Sequence, residues 1–86
     1  MKIALPTLAL ATVIAVPAFA EPECTGDGPM KPMWEIIRSF EDAKGTVEIA
    51  KTTRDGCYEI YGRQNDHKVE IYYDPRTGAE LDREED

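Results

Sequence analysis

Few side chains in this sequence of 86 residues could carry out covalent chemistry. Its only serine is Ser39 and its only histidine is His67. A serine nucleophile needs a histidine base, a third orienting group and an oxyanion site, and the pattern around these two residues supplies none of them. The many carboxylates could act as paired acids only in a pocket, which so small a core can hardly enclose. We therefore expect a protein without catalytic residues.

The two cysteines, Cys24 and Cys57, are better suited to cross-linking than to catalysis. An even cysteine count in a small exported domain is typical of a disulfide, and two free thiols are the alternative. Closing a loop of this length would stabilise the fold by about 3–4 kcal/mol in the chain-entropy account. A metal site would need more ligands than the cysteines and His67 provide, so we expect no metal and no cofactor.

The first twenty residues have the organisation of a secretory signal peptide. Lys2 is the positive start, residues 3–16 form an apolar run, and Ala18 to Ala20 is a small-x-small cleavage site. A membrane anchor is the alternative, but the run is shorter than the roughly 20 residues that a span needs. We therefore predict that residues 1–20 are removed and that residues 21–86 form one periplasmic or secreted domain with no membrane attachment.

The charge of the chain disfavours one large class of partners. The sequence has 10 basic and 17 acidic residues, a formal net charge of −7. Removal of Lys2 with the leader would leave 9 basic and 17 acidic residues, a net charge of −8. Because nucleic-acid-binding proteins present a basic surface to phosphates, we expect no nucleic-acid partner. An acidic surface favours solubility, cationic partners or loosely held cations.

The predicted domain begins with an irregular arm and one helix. Residues 21–31 are rich in proline and glycine and have no periodicity. Residues 32–44 have apolar positions at three- and four-residue steps, which predicts an amphipathic helix with Pro32 in its first turn and Gly45 as its stop. The predicted apolar stripe consists of Met33, Ile36, Ile37, Phe40 and Ala43, with Trp34 buried or packed at its edge.

The rest of the chain predicts an antiparallel sheet, and hence an α+β fold with the helix on one face of a three- to four-stranded meander. Apolar and polar residues alternate over residues 46–53, 58–62 and 68–73, with a turn at 64–67 in which Asn65 or Asp66 can adopt the left-handed conformation. Residues 79–81 would form a short edge strand, and residues 82–86 a frayed acidic tail. The predicted inner face consists of Val47, Ile49, Tyr58, Ile60, Val69, Ile71 and Tyr73.

The outer face of the predicted sheet would present Glu59, Tyr61, Glu70 and Tyr72 to water. Tyrosine is frequent at binding hot spots, so these four residues are a candidate binding face. The alternative is an ordinary solvated sheet face, stabilised by cross-strand pairs that are worth roughly 0.2–1 kcal/mol each.

The chain contains an ordered set of motifs, namely Trp34, Gly45-Thr46-Val47, Asp55 to Gly62, Val69 to Tyr72, Asp74-Pro75 and Thr77-Gly78. Over most of residues 33–81, this set resembles the small secreted PepSY-type domains of bacteria. The resemblance implies an α+β fold with a helix packed on an antiparallel sheet, and a module without a catalytic motif. Such domains occur in propeptides of thermolysin-type metallopeptidases, as restraints on the enzyme, and as stand-alone exported proteins. The chain departs from the family at the middle turn, where Asp66-His67 replaces a frequent Asp-Gly.

Two functions from different classes remain open. The first is an interaction module that modulates or inhibits an exported peptidase or binds another envelope protein. The second is an envelope protein that responds to a cation or small ligand, as the acidity of residues 82–86 would allow. Because no loop has the spacing of a calcium site, such binding would be weak. The sequence does not give the oligomeric state, although self-association through the last strand is possible because unpaired strand edges favour pairing.

Overall fold

The computed structural model describes residues 21–86, in which one helix is followed by four strands. The strands form one antiparallel sheet in the order β1-β2-β3-β4, which confirms the predicted α+β meander. The predicted signal peptide at residues 1–20 lies outside the described residues. Within residues 21–86, no helix is long and apolar enough to cross a membrane. The elements are α1 (Met33–Asp42), β1 (Gly45–Thr52), β2 (Tyr58–Gln64), β3 (His67–Tyr73) and β4 (Glu80–Glu85).

The helix packs on the inner face of the sheet and forms the main core with β2 and β3. Ile36 and Phe40 are its buried residues, and Met33 and Ile37 are half-buried at the margin. Each large apolar side chain that is buried in this way contributes about 1.5–3 kcal/mol. The prediction for β2 and β3 is confirmed, since the core also contains Tyr58, Ile60, Val69, Ile71 and Tyr73.

Both ends of the helix differ from the prediction by a few residues. Pro32 is the N-cap, one residue before the helix, and Ala43 is the C-cap. Lys44, with φ of 73°, adopts the left-handed conformation that we expected of Gly45. Gly45 instead begins β1, where an added Cβ would collide with the ring of Phe40. Glycine is therefore required at this position because the ring packs directly on the backbone.

Two residues that we assigned to the apolar side of the helix are exposed. Trp34 is 59% exposed, so of the two predicted positions, buried or packed at the edge of the stripe, the buried one is wrong. Successive helical residues are rotated by about 100°, which turns Trp34 away from the face that Met33 and Ile37 share. Ala43 is also exposed, because the helix has already ended when the chain reaches it.

A bulge in β1 reverses the predicted alternation of that strand. The register with β2 shifts between Val47 and Ile49, and Glu48 is the extra residue. Val47 and Ala50 therefore pack on the core, whereas Ile49 lies opposite Tyr61 on the outer face and is 54% exposed. The prediction that Ile49 lies inside and Ala50 outside is wrong, because one inserted residue inverts the faces of all that follow.

The last strand is longer than predicted. Residues 82–85 pair with β3 within β4, so the prediction of a frayed tail is wrong. The Arg83 guanidinium donates hydrogen bonds to the carboxylates of Glu80 and Glu85, at 2.8 Å each, and to the side-chain oxygen of Gln64 at 2.8 Å. One cation thus offsets the repulsion between acids along the edge. It also lowers the pKa of Glu80 through the hydrogen bond.

The turn between β2 and β3 consists of Asn65 and Asp66. Their φ values are 54° and 68°, so both residues adopt the left-handed conformation that we predicted for one or the other. Two such residues in succession are typical of the type I′ turn, whose twist matches that of paired strands. The turn therefore sets the register in which β2 and β3 place their side chains side by side.

Candidate binding face

The N-terminal arm is joined to the outer face of the sheet by a disulfide. Cys24 and Cys57 are bonded, with an S–S distance of 1.99 Å, as we predicted. The Cys24 N–H donates to the carbonyl of Asp55 at 2.9 Å, so the arm lies beside the start of β2. The cystine and Tyr72 form a second buried cluster, separate from the core under the helix. The outer face is therefore covered at this end.

Other contacts hold the arm along its length. The Tyr58 hydroxyl donates to the carbonyl of Lys31 at 2.6 Å, and the Lys31 N–H donates to the carbonyl of Pro75 at 2.7 Å. The Arg76 side chain reaches the carbonyls of Gly28, at 3.3 Å, and Cys24, at 3.4 Å. The arm is irregular, as predicted, but its backbone has fixed partners on β2 and on the turn after β3.

The four predicted binding residues are neighbours, but only two of them are accessible. The register of β2 and β3 places Glu59 opposite Tyr72 and Tyr61 opposite Glu70. Tyr61 and Glu70 are half-buried, whereas Glu59 is 3% exposed and Tyr72 is 2% exposed. The expectation that all four meet water is therefore wrong. Alternation predicts the side of the sheet on which a residue lies, but not what covers that side.

A polar network joins these four residues to Lys51 of β1. The Tyr72 hydroxyl donates to the Glu70 carboxylate at 2.9 Å. The Lys51 ammonium lies 3.8 Å from Glu59 Oε1 and 5.7 Å from the centre of the Tyr61 ring. Burial raises the pKa of Tyr72, and burial together with the neighbouring acids raises the pKa of Tyr61 to about 12. Both phenols are therefore neutral hydrogen-bond donors at physiological pH.

The accessible part of the outer face continues onto both edge strands. Ile49, Tyr61, Glu70 and Glu84 are paired in sequence across β1, β2, β3 and β4, and we call these four residues the cross-strand row. A groove of about 420 Å³ is lined by three of the four, Tyr61, Glu70 and Glu84. The residues that line the groove are Glu48, Tyr61, Gly62, Lys68, Val69, Glu70, Glu84, Glu85 and Asp86.

Sequence reasoning missed three residues of this face. Ile49 and Lys51 reach it only because of the bulge in β1, and no signal in the sequence indicates that bulge. Glu84 reaches it because β4 continues past residue 81, where we ended the strand. The alternation of Glu80, Asp82 and Glu84 with Leu81 and Arg83 was a weak signal for that continuation.

The residues considered for catalysis lie apart from this face. Ser39 is exposed on α1, and His67 is exposed at the start of β3. The His67 Nδ1 atom lies 3.2 Å from the carbonyl oxygen of Asp86. No hydrogen bond joins Ser39 to His67 in the described part of the chain. Residues 21–86 contain no group of three or more His, Cys, Asp or Glu side chains that could hold a metal ion.

Comparison with known proteins identifies one family. The model of the PepSY_2 family, described as peptidase propeptide and YPEB domain, matches residues 4–84 of the 86. No curated protein and no solved structure matches the chain. The family match includes the helix, β1 to β3 and all but the last residue of β4, and therefore the whole cross-strand row.

Proposed function

The chain belongs to the family of peptidase propeptide and YPEB domains, and we propose that it is a non-catalytic module that binds an exported peptidase and restrains it. The family match carries this proposal, because the family is described by its occurrence in peptidase propeptides. We further propose that it acts in the periplasm or outside the cell. The disulfide and the predicted signal peptide support that location, since disulfides persist in oxidising compartments.

The cross-strand row is the surface that we propose for the contact. Ile49 is more than half exposed, and the half-buried Tyr61 beside it has its ring near Lys51. A tyrosine that is already held in place loses little rotamer freedom on binding, which favours affinity. Glu70 and Glu84 continue the row, and we expect them to meet basic side chains of the partner at the polar rim.

Inhibition of a peptidase by the purified protein tests this proposal. The processed protein, exported from the full-length sequence, should inhibit a thermolysin-type metallopeptidase in a dose-dependent manner. Tyr61→Ala should weaken inhibition at least tenfold, which is the loss of about 1.4 kcal/mol of binding free energy. The matched control is Trp34→Ala, which removes an exposed aromatic side chain from the helix on the other layer and should leave inhibition unchanged.

Two further measurements make the result decisive. Circular dichroism melts show whether each variant is folded, so that a loss of inhibition is not a loss of structure. Affinity purification from the exported fraction shows whether a peptidase co-purifies with the protein. Unchanged proteolysis at micromolar protein, together with the absence of any co-purifying peptidase, would contradict the proposal.

A further inference from the structure

Glu59 is a buried carboxyl group that has too few hydrogen-bond donors for a carboxylate. Its side chain lies on the outer face of β2 and is 3% exposed. No donor within residues 21–86 reaches its Oε2 atom. Its Oε1 atom is 3.8 Å from the Lys51 ammonium, beyond hydrogen-bond distance, and the Lys51 side chain is itself 54% exposed. Because burial penalises the charged form, an ionised Glu59 would be poorly stabilised here.

The neighbour that the sheet places beside Glu59, in addition to Lys51, is another acid and not another cation. On β3, Glu70 is the diagonal neighbour of Glu59, beside the directly opposed Tyr72. Lys51 is the nearest cation, on β1. The charged and titratable groups that face this site are Lys51 from β1, Tyr61 from β2, Glu70 and Tyr72 from β3, Asp82 and Glu84 from β4 beyond them, and Glu21 from the arm near Tyr72.

We propose that Glu59 and Glu70 share one proton, and that this proton is a pH-sensitive element built into the outer face. Glu59 carries the proton and donates it in a hydrogen bond to the Glu70 carboxylate, which also accepts a hydrogen bond from the Tyr72 hydroxyl. When the proton leaves to solvent, the charge of the pair changes from −1 to −2. Two adjacent carboxylates with one partly solvated lysine repel each other, so the outer face is destabilised.

The electrostatic surroundings shift the two acids in opposite directions. Burial and the neighbouring Glu70 raise the pKa of Glu59 from its ordinary value of 4.5, and they outweigh the Tyr61 hydroxyl and the Lys51 ammonium, which act to lower it. The hydrogen bond from Glu59 lowers the pKa of Glu70 from the same ordinary value. Stability contributed by Glu59 is thus complete below its unfolded pKa and is lost as pH rises through its folded pKa. Stability contributed by Glu70 is present above its unfolded pKa and is lost as pH falls through its folded pKa.

The pair therefore contributes most in a window between the two folded pKa values, on either side of 4.5. Towards neutral pH its contribution declines, which is opposite to the usual loss of stability in acid. This inference concerns the folded protein alone and does not depend on the proposed peptidase.

Urea unfolding as a function of pH tests the proposal with three proteins. Glu59→Gln keeps the shape of the side chain and supplies a permanent N–H donor to Glu70. We expect the wild-type unfolding constant to rise relative to that of Glu59→Gln between mildly acidic and neutral pH, by a factor of ten for each unit by which folding raises the pKa of Glu59. The matched control is Glu41→Gln, an exposed acid of α1, which should keep the wild-type dependence.

A titration of the wild type by carbon NMR gives a readout that does not require any variant to fold. The carboxyl carbon of Glu59 should titrate above 4.5 and that of Glu70 below 4.5. Two titrations that coincide near 4.5 would overturn the proposal. So would a Glu59→Gln protein that keeps the full pH dependence of the wild type.

Discussion

Breaking the bond between Cys24 and Cys57 should lower the melting temperature by roughly 12–30 °C. The cysteines are 33 residues apart, and opening a loop of that length gives the unfolded chain about 3–4 kcal/mol of additional entropy in the chain-entropy account. A domain of this size shifts its melting temperature by about 4–8 °C for each kcal/mol. Its total stability is of similar magnitude, roughly 3–10 kcal/mol, so the loss should be a large part of the whole.

Breaking the disulfide should destabilise the folded state much less than it stabilises the unfolded state. Cys57 is completely buried beside Tyr72, and the reduced sulfurs would keep most of their packing. The arm would remain attached through the hydrogen bonds of Lys31 to Tyr58 and to Pro75. We therefore expect the reduced protein to keep its native far-ultraviolet spectrum at low temperature and to unfold earlier on heating.

Thermal unfolding with and without reductant measures the effect. A thiol count should show that both cysteines are free in the reduced sample. The control is the double variant Cys24→Ala/Cys57→Ala, whose melting temperature should be low and insensitive to reductant. A fully reduced wild type that melts within about 4 °C of the oxidised protein would refute the reasoning, because it would limit the contribution of the loop to about 1 kcal/mol or less.

Two further substitutions test the backbone geometry. Gly62→Ala should destabilise the fold by about 1–3 kcal/mol in urea unfolding, because the added Cβ would collide with the carbonyl oxygen of Thr46 on the facing strand. Gly26→Ala is its control and should be nearly neutral, since its Cβ would meet only the Arg76 side chain at 3.8 Å, and equal effects would contradict the account. Lys44→Gly should raise stability by up to about 1 kcal/mol in the same assay, because Lys44 has a φ of 73° that glycine adopts without strain. A less stable Lys44→Gly protein would contradict that explanation.

The inner face of β2 and β3 could be predicted because a local rule determines it. Tyr58, Ile60, Val69 and Ile71 alternate with polar residues, and a two-residue turn preserves the register between their strands. Alternation together with a short turn is enough to place such residues on one side of a sheet. The helix follows from the same kind of reasoning, since the spacing of Ile36 and the residues around it predicts a single apolar side.

The edge strands could not be predicted in the same way, because their faces depend on single residues. In β1 the insertion of Glu48 moves Ile49 from the core to the outer face. The composition of the strand does not distinguish a regular strand from one with this bulge. In β4 the local excess of acid indicates a solvated tail, but Arg83 binds Glu80 and Glu85 and keeps the strand paired. These ion pairs form only when the strand is folded, so the sequence alone does not indicate them.

The buried part of the outer face depends on contacts between segments that are distant in sequence. Tyr72 is covered where the bond from Cys57 brings Cys24 across the sheet, a contact that spans 48 residues from Cys24 to Tyr72. Glu59 is buried opposite it and is the diagonal neighbour of Glu70 on the adjacent strand. The alternation of residues along a strand predicts that both positions are exposed, because it carries no information about another segment that covers this face. The same contacts that hide Glu59 and Tyr72 would confine the proposed partner to the cross-strand row, and they place Glu59 where burial raises its pKa. The covering of the outer face therefore explains both the small accessible surface and the proposed pH response. Neither of them follows from the strand pattern alone.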